Sequence, residues 1–301
     1  VVGIVLLIDV IWLRVAHYAV SLAGIEGKAK NVGQLILMAL GVLIVTRIPR
    51  YRQITATLRI VEVSRTVAWY AVLTCFFAVA AVLSYLCVTV NPPLVDGTLV
   101  RFDQTLGFDW LALYQWVQAH PHVHRILQLA YESGRWQLPI IPFVLGLSGQ
   151  NDELSDFVFL VMVSALLVLV LSTPFPATAA FVHFNVADPN LLATVSDFAT
   201  LRDGTQRTFD LASVQGLVSI PSFHTVLAVL FTYALRRTPL LFWCAVVLNT
   251  TMIASTPTQG GHYLADVIAG LALATLTIWC VKRAHRQGAA RPHAGLTGAT
   301  G

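Results

Sequence analysis

His262 and Asp266 stand four residues apart in Gly260-Gly261-His262-Tyr263-Leu264-Ala265-Asp266. On a helix that spacing puts both side chains on one face. The carboxylate then accepts from one imidazole nitrogen, fixes the tautomer and leaves the other nitrogen as a directed nucleophile or base. Spacing alone is weak evidence, because 9 histidines give a chance partner at this distance roughly one time in three. The setting adds weight. No acidic residue lies between Asp210 and Asp266, and the pair opens an uncharged apolar run. An Asp inside a membrane helix costs roughly 2.5–3.5 kcal/mol on insertion scales, so its presence asks for a function. The glycine pair before His262 lets backbone approach a ligand.

A second histidine follows Ile220-Pro221-Ser222-Phe223-His224. Pro-Ser ahead of an apolar run reads as a helix start with Ser222 as N-cap. A helix amino terminus presents free N–H groups and a partial positive charge, which suits a phosphate. Alone, His224 reads as a core histidine bonded to backbone; beside the second motif it reads as a catalytic group. Arg135 is a helix-embedded cation near Glu132 and Gln137. It suits either a phosphate or a structural pair with Glu132. His120, His122 and His124 alternate in a polar loop with no acidic residue or cysteine beside them, so a solvated loop is favoured over a metal site. Asp9 and Arg14 form a second candidate pair. Cys75, Cys87, Cys244 and Cys280 lie in apolar segments without ligand spacing and read as small buried hydrophobes.

The elements that must position these residues are membrane helices. Hydrophobic residues make up 56% of the 301 and charged ones 11%, against about 25% charged in soluble domains. Mean hydropathy is +0.73. Val67 to Val90 and Phe157 to Val182 carry no charge, and a helix needs about 20 apolar residues to cross a bilayer core. The chain therefore reads as an all-α polytopic membrane protein with eight crossing helices. These are Val1–Ala23, Val32–Ile48, Val67–Val90, Ile126–Leu147, Asp156–Thr173, Ser222–Leu235, Pro239–Ser255 and His262–Val281. The opening apolar stretch is expected to stay as a helix.

Basic residues orient the bundle. With the amino terminus inside, Arg47, Arg50, Arg52, Arg59, Arg65, Arg236, Arg237, Lys282, Arg283, Arg286 and Arg291 are inner. Lys28, Lys30, Arg101, Arg125, Arg202 and Arg207 are outer. A pI near 9.0 then marks cytoplasmic loops and gives no reason to expect nucleic acid. Two crossings separate His224 from His262, so both fall at one face, the outer one. The connections Asn91–Arg125 and Phe184–Val218 are outer too, and Phe102, Phe108, Trp110, Tyr114 and Trp116 suit an interfacial segment. Arg47 to Arg65 reads as a basic linker on the inner leaflet. Residues after Arg286 read as a disordered tail. The absence of an internal repeat weakens an inverted-repeat transporter reading.

Pro-Ser-Phe-His at 221–224, with Ser255-x6-His262-Tyr263-x2-Asp266 and Val267-Ile268-Ala269-Gly270, resembles the second and third signatures of the type 2 phosphatidic acid phosphatase superfamily. The resemblance implies a six-helix catalytic core at 67–284, two added helices and a linker at 1–66, and a tail at 285–301. It further implies that His262 attacks phosphorus, that Asp266 orients it, and that His224 protonates the leaving oxygen. Neither metal nor cofactor is implied. The first signature, a Lys, six residues, then Arg-Pro, has no intact copy: Gln128 and Arg135 keep the spacing, and Trp136 follows. Thr256 stands where the third signature usually has Arg. In these departures, and at Asp103–Trp110 and Tyr131–Pro139, the chain resembles the inositol phosphorylceramide synthase branch.

The expected function is an integral-membrane phosphatase or phosphotransferase acting on lipid phosphates at the outer face of the plasma (inner) membrane, its partners being the lipid phosphate and surrounding lipids. Substrate contacts are expected from Ser222 and Arg135. The alternatives are a phosphoinositol-type transferase onto a lipid alcohol, and a proton-coupled transporter or flippase using His262 and Asp266 as a relay.

Overall fold

The computed structural model describes residues 1–48, 59–212 and 214–289. In chain order the helices are α1 (Val2–Ala16), α2 (Leu22–Arg47), α3 (Ile60–Thr89), α4 (Asp96–Thr105), α5 (Trp110–Gln118), α6 (Pro121–Leu147) and α7 (Asn151–Ser172). After these come α8 (Ala180–His183), α9 (Pro189–Ala193), α10 (Asp197–Arg202), α11 (Phe223–Ala234), α12 (Pro239–Gly260) and α13 (Leu264–Ala289). Two short strands, β1 (Ala19–Val20) and β2 (Thr208–Phe209), pair in parallel. The chain is an all-α polytopic membrane protein. Five described helices are long and apolar enough to cross a membrane: α2, α3, α7, α12 and α13.

The eight expected crossings need revision in three places. The first expected crossing, Val1–Ala23, breaks early. His17 adopts φ 57° as a left-handed C-cap, so α1 has 15 residues, short of the about 20 a full crossing needs. Ser21 then caps α2, accepting from Gly24 N at 3.3 Å, ten residues ahead of the expected start at Val32. Helix α11 has only 12 residues, and its burial explains how so short a helix serves. It packs against α6, α7, α12 and α13, and Val226, Ala228, Leu230 and Phe231 are fully enclosed. A helix apolar on every side belongs at the centre of a bundle. Helix α6 has the length but is interrupted by Gln128, Glu132, Arg135 and Gln137.

The main core joins Phe76 of α3, Leu145 of α6, Phe157 and Val161 of α7, the α11 side chains, Met252 of α12 and Ala274 of α13. Helices α1 and α2 both pack on α3, with Ser64 Oγ donating to Ala39 O at 3.0 Å. Asp9 does not pair with Arg14. Its carboxylate is buried and, among the described residues, neither oxygen has a hydrogen-bond partner. The inner-linker reading falls mainly on residues 49–58 and the tail reading mainly on 290–301, outside the described residues. Arg65 lies within α3, and α13 continues to Ala289.

The two ends of the bundle differ. At one end Glu153, buried at the start of α7, meets Arg236 at 3.7 Å and Arg237 at 2.7 Å. Arg59 donates to Leu147 O at 2.8 Å. At the other end lie α4, α5 and the described chain at 174–212 and 214–221. Here β1 and β2 tie the amino-terminal pair to the loop before α11, and Arg207 stacks on Tyr18 at 4.8 Å.

Helix α13 crosses α11 closely at Gly270. A Cβ there would stand 2.7 Å from Ser222 O and 3.0 Å from Thr225 Cβ. Gly270→Leu is therefore expected to destabilise the protein by about 1–3 kcal/mol through overpacking, read as a lower Tm in detergent. An unchanged Tm would show that the crossing is not tight.

Candidate active site

The joint between α12 and α13 is built by two interruptions. Pro257 lies in the last turn of α12, and Gly261 ends that helix with φ 65°. A side chain at Gly261 would strike the Phe181 ring, so this turn needs glycine for both conformation and space. Trp110 Nε1 donates to Pro257 O at 3.0 Å, which satisfies a carbonyl left over at the helix end. Helix α13 starts at Leu264, so His262 sits in the joint and not on the helix as the spacing suggests.

The first amides of α13 are capped from elsewhere in the chain. Asp103 of α4 accepts from Leu264 N at 2.8 Å and from Ala265 N at 2.9 Å. A carboxylate at this position also opposes the positive end of the helix dipole. Burial holds the Asp103 carboxyl above its ordinary range, and the two amide bonds offset only part of that rise. Asp96 accepts from Tyr263 Oη at 2.7 Å and from Thr178 Oγ1 at 2.6 Å. Tyr263, Leu264 and Ala265, the residues that follow His262, are thus held by two buried carboxylates.

Asp266 is fully buried. Its Oδ2 accepts from His262 Nδ1 at 3.2 Å, Tyr263 N at 3.0 Å and Ser219 Oγ at 2.6 Å. Its Oδ1 has no hydrogen-bond partner among the described residues. The expected histidine–carboxylate pair therefore forms, by the joint folding back over the first turn of α13. With the proton on Nδ1 directed at the carboxylate, His262 Nε2 carries the free lone pair.

His224 enters from α11. Ser222 caps that helix, its Oγ accepting from Thr225 N at 3.4 Å and from Thr225 Oγ1 at 3.1 Å. Ser222 N donates to Asp266 O at 3.0 Å, so the start of α11 is fastened directly to the residue that holds His262. Ser222 is buried. His224 stacks on Tyr131 of α6, ring centroids 4.2 Å apart, with Tyr131 Oη 3.3 Å from His224 Nδ1. Gly134, next to Arg135 on α6, comes close to this ring: a Cβ there would lie 3.7 Å from His224 Cδ2.

Gly260 closes the cluster. A Cβ there would lie 2.8 Å from Tyr131 Oη and 2.9 Å from His262 Cδ2. The glycine thus lets the tyrosine partner of His224 approach His262. Arg135 lies one turn beyond Tyr131 on α6. It is exposed, and among the described residues it makes no ion pair or hydrogen bond. Glu132 is engaged by Gln128 at 3.0 Å, so the structural pair with Arg135 is not formed. His224, His262, Asp266, Ser222 and Arg135 gather at one end of the bundle. His120, His122 and His124 lie apart at the start of α6, and His120 Nδ1 meets Trp116 O at 2.7 Å.

Spacing did not single out Ser219, Tyr131, Asp103 or Asp96 as parts of this cluster. Ser219 left one trace: it stands two residues before Pro221, in the approach to a helix start. The two aspartates cap and anchor across more than 160 positions of chain, and local spacing carries no sign of that.

A sequence model of the PAP2 superfamily matches residues 97–280. The chain belongs to that superfamily, whose members generally have phosphatase activity, and this supports an enzyme acting on phosphate esters. No curated protein and no solved structure matches the chain.

Ser219 gives the shortest contact to Asp266. Ser219→Ala is expected to lower kcat about tenfold or more with KM little changed, since one bond to a buried charge is lost. The check is steady-state kinetics on the purified variant, and an unaltered kcat would remove Ser219 from the account.

Proposed function

We propose that the protein is a lipid phosphate phosphatase or phosphotransferase that works through a phosphohistidine. The observation that carries this reading is the buried His262–Asp266 pair at 3.2 Å, beside a second histidine on an adjoining helix start. The phosphate lies between Arg135, the first amides of α11 and the two histidines. His262 Nε2 attacks phosphorus, and the bond to the leaving oxygen breaks. As positive charge grows on the imidazole, its Nδ1–H bond to Asp266 strengthens, so the carboxylate stabilises the transition state more than the ground state. His224, in its protonated form, gives its proton to the leaving alcohol. Water or an alcohol then attacks the phosphohistidine, His224 takes up the proton, and His262 is freed.

Two further observations shape the reading. Gln128 and Thr256 occupy positions where the superfamily's signatures usually have cations. Fewer fixed cations favour a substrate phosphate of lower charge, a diester, and with it the transfer of a phosphoinositol-type group onto a lipid alcohol, as in the inositol phosphorylceramide synthase branch. The arginine-rich end of the bundle, with Arg59, Arg236 and Arg237, lies opposite the histidines. By the positive-inside rule this favours a site on the outer, non-cytoplasmic face of the membrane.

His262→Ala is expected to abolish turnover of phosphatidic acid in detergent micelles with the Tm unchanged. Asp266→Asn is expected to cost about 10,000-fold in kcat by holding the wrong tautomer. Either variant turning over at the normal rate would refute the mechanism. Supplying a lipid alcohol, with phosphatidic acid or phosphatidylinositol as donor, separates the two acceptors: a new phospholipid marks transfer, and free phosphate or inositol phosphate respectively marks hydrolysis.

A further inference from the structure

The two histidines of the site are held by the same nitrogen. His262 Nδ1 meets Asp266 Oδ2 at 3.2 Å, and His224 Nδ1 meets Tyr131 Oη at 3.3 Å. Among the described residues neither Nε2 has a hydrogen-bond partner. Each ring therefore keeps its Nε2 for a substrate. The two assemblies also adjoin. A Cβ on Gly260 would lie 2.8 Å from Tyr131 Oη and 2.9 Å from His262 Cδ2, the carbon bonded to Nε2.

Packing fixes the contact between phenol and imidazole. The Tyr131 ring lies 21° from parallel with that of His224, centroids 4.2 Å apart. Among the described residues Tyr131 Oη has no other hydrogen-bond partner. One turn along α6, Gly134 lets this helix close on α12, since a Cβ there would stand 2.8 Å from Met252 Cε.

The two partners differ in charge, and that divides the labour. A carboxylate steadies the positive charge an imidazole gains when it attacks phosphorus. A neutral phenol accepts the same bond but holds that charge less firmly. The imidazole beside it gives up its Nε2 proton more readily, as a general acid must.

We propose that Tyr131 is the positioning residue of His224: its Oη accepts the Nδ1–H bond and leaves Nε2 to move the proton. The inference rests on the proposed phosphoryl transfer. In the first step the P–O bond to the leaving group breaks, and the Nε2 proton passes to that oxygen. In the second, Nε2 takes a proton from the attacking water or alcohol. The Nδ1–H stays on Tyr131 throughout.

A leaving-group comparison separates this role from a structural one. Dodecyl phosphate must release an alkoxide and needs the proton. A nitrophenyl phosphate carrying a dodecyl chain on its ring releases a stable phenolate and does not. For both, kcat/KM in one detergent reports the cleavage step. Tyr131→Phe keeps the stacked ring and removes the oxygen. In this variant the nitrophenyl-to-alkyl ratio of kcat/KM is expected to rise about tenfold, the weight of one lost hydrogen bond. In His224→Ala the ratio rises too, and adding Tyr131→Phe moves it no further. An unchanged ratio in Tyr131→Phe, or a further rise in the double variant, overturns the inference.

Nitrogen NMR shifts of labelled histidines read the same bond without turnover, with His224→Ala assigning the signal. The proton of neutral His224 is expected on Nδ1 in the wild type and on Nε2 in Tyr131→Phe. A proton on Nε2 in both overturns the inference. A wild type that turns over neither ester refutes the proposed reaction, and the tautomer then decides the tie between Tyr131 and His224 alone.

Discussion

One carboxylate oxygen organises this protein. Asp266 Oδ2 collects an imidazole N–H, a backbone N–H and a serine hydroxyl, and each donor comes from a different part of the turn or loop around it. A buried carboxylate without such donors would be driven to its neutral form. The three bonds satisfy the buried Oδ2, and in return it holds the joint, the start of α13 and the approach to α11 together. The bond from Ser222 N to Asp266 O adds a fourth tie from the same residue.

The rest of the fold serves to hold that joint in place. Asp103 and Asp96 grip Tyr263, Leu264 and Ala265, the residues between His262 and Asp266, so helix α4 acts as a cap for a helix far along the chain. Trp110 closes the end of α12. The loop that delivers Ser219 is tied to the amino-terminal helices through β1, β2 and Arg207, and Gln215 N donates to Tyr85 Oη at 3.2 Å. These ties give the helices ahead of the superfamily match a structural part in positioning the site.

The fold class and the central histidine pair were legible in the sequence because they rest on composition and short spacing. Apolar runs announce membrane helices whatever their neighbours, and His262 and Asp266 are close in the chain as well as in space. The detail was less legible where packing overrides local pattern. Helix α11 spans only 12 residues because neighbours enclose it, and no local feature says so. His262 left its expected helix because Gly261 and Asp103 together move the helix start to Leu264. Arg135 and Glu132 looked like a pair by spacing, yet Gln128 engages the glutamate. Ser219 and Tyr131 act through contacts made across the bundle, which local spacing does not encode.

The central claim is that His262 carries the phosphoryl group between donor and acceptor. It is tested most directly by mixing the wild-type protein with phosphatidic acid labelled in its phosphate, quenching in alkali within a turnover, and mapping the label by mass spectrometry. The account predicts phosphohistidine at His262, and none in the Asp266→Asn protein on that timescale. Turnover with no labelled histidine, or with the label on another residue, would contradict it.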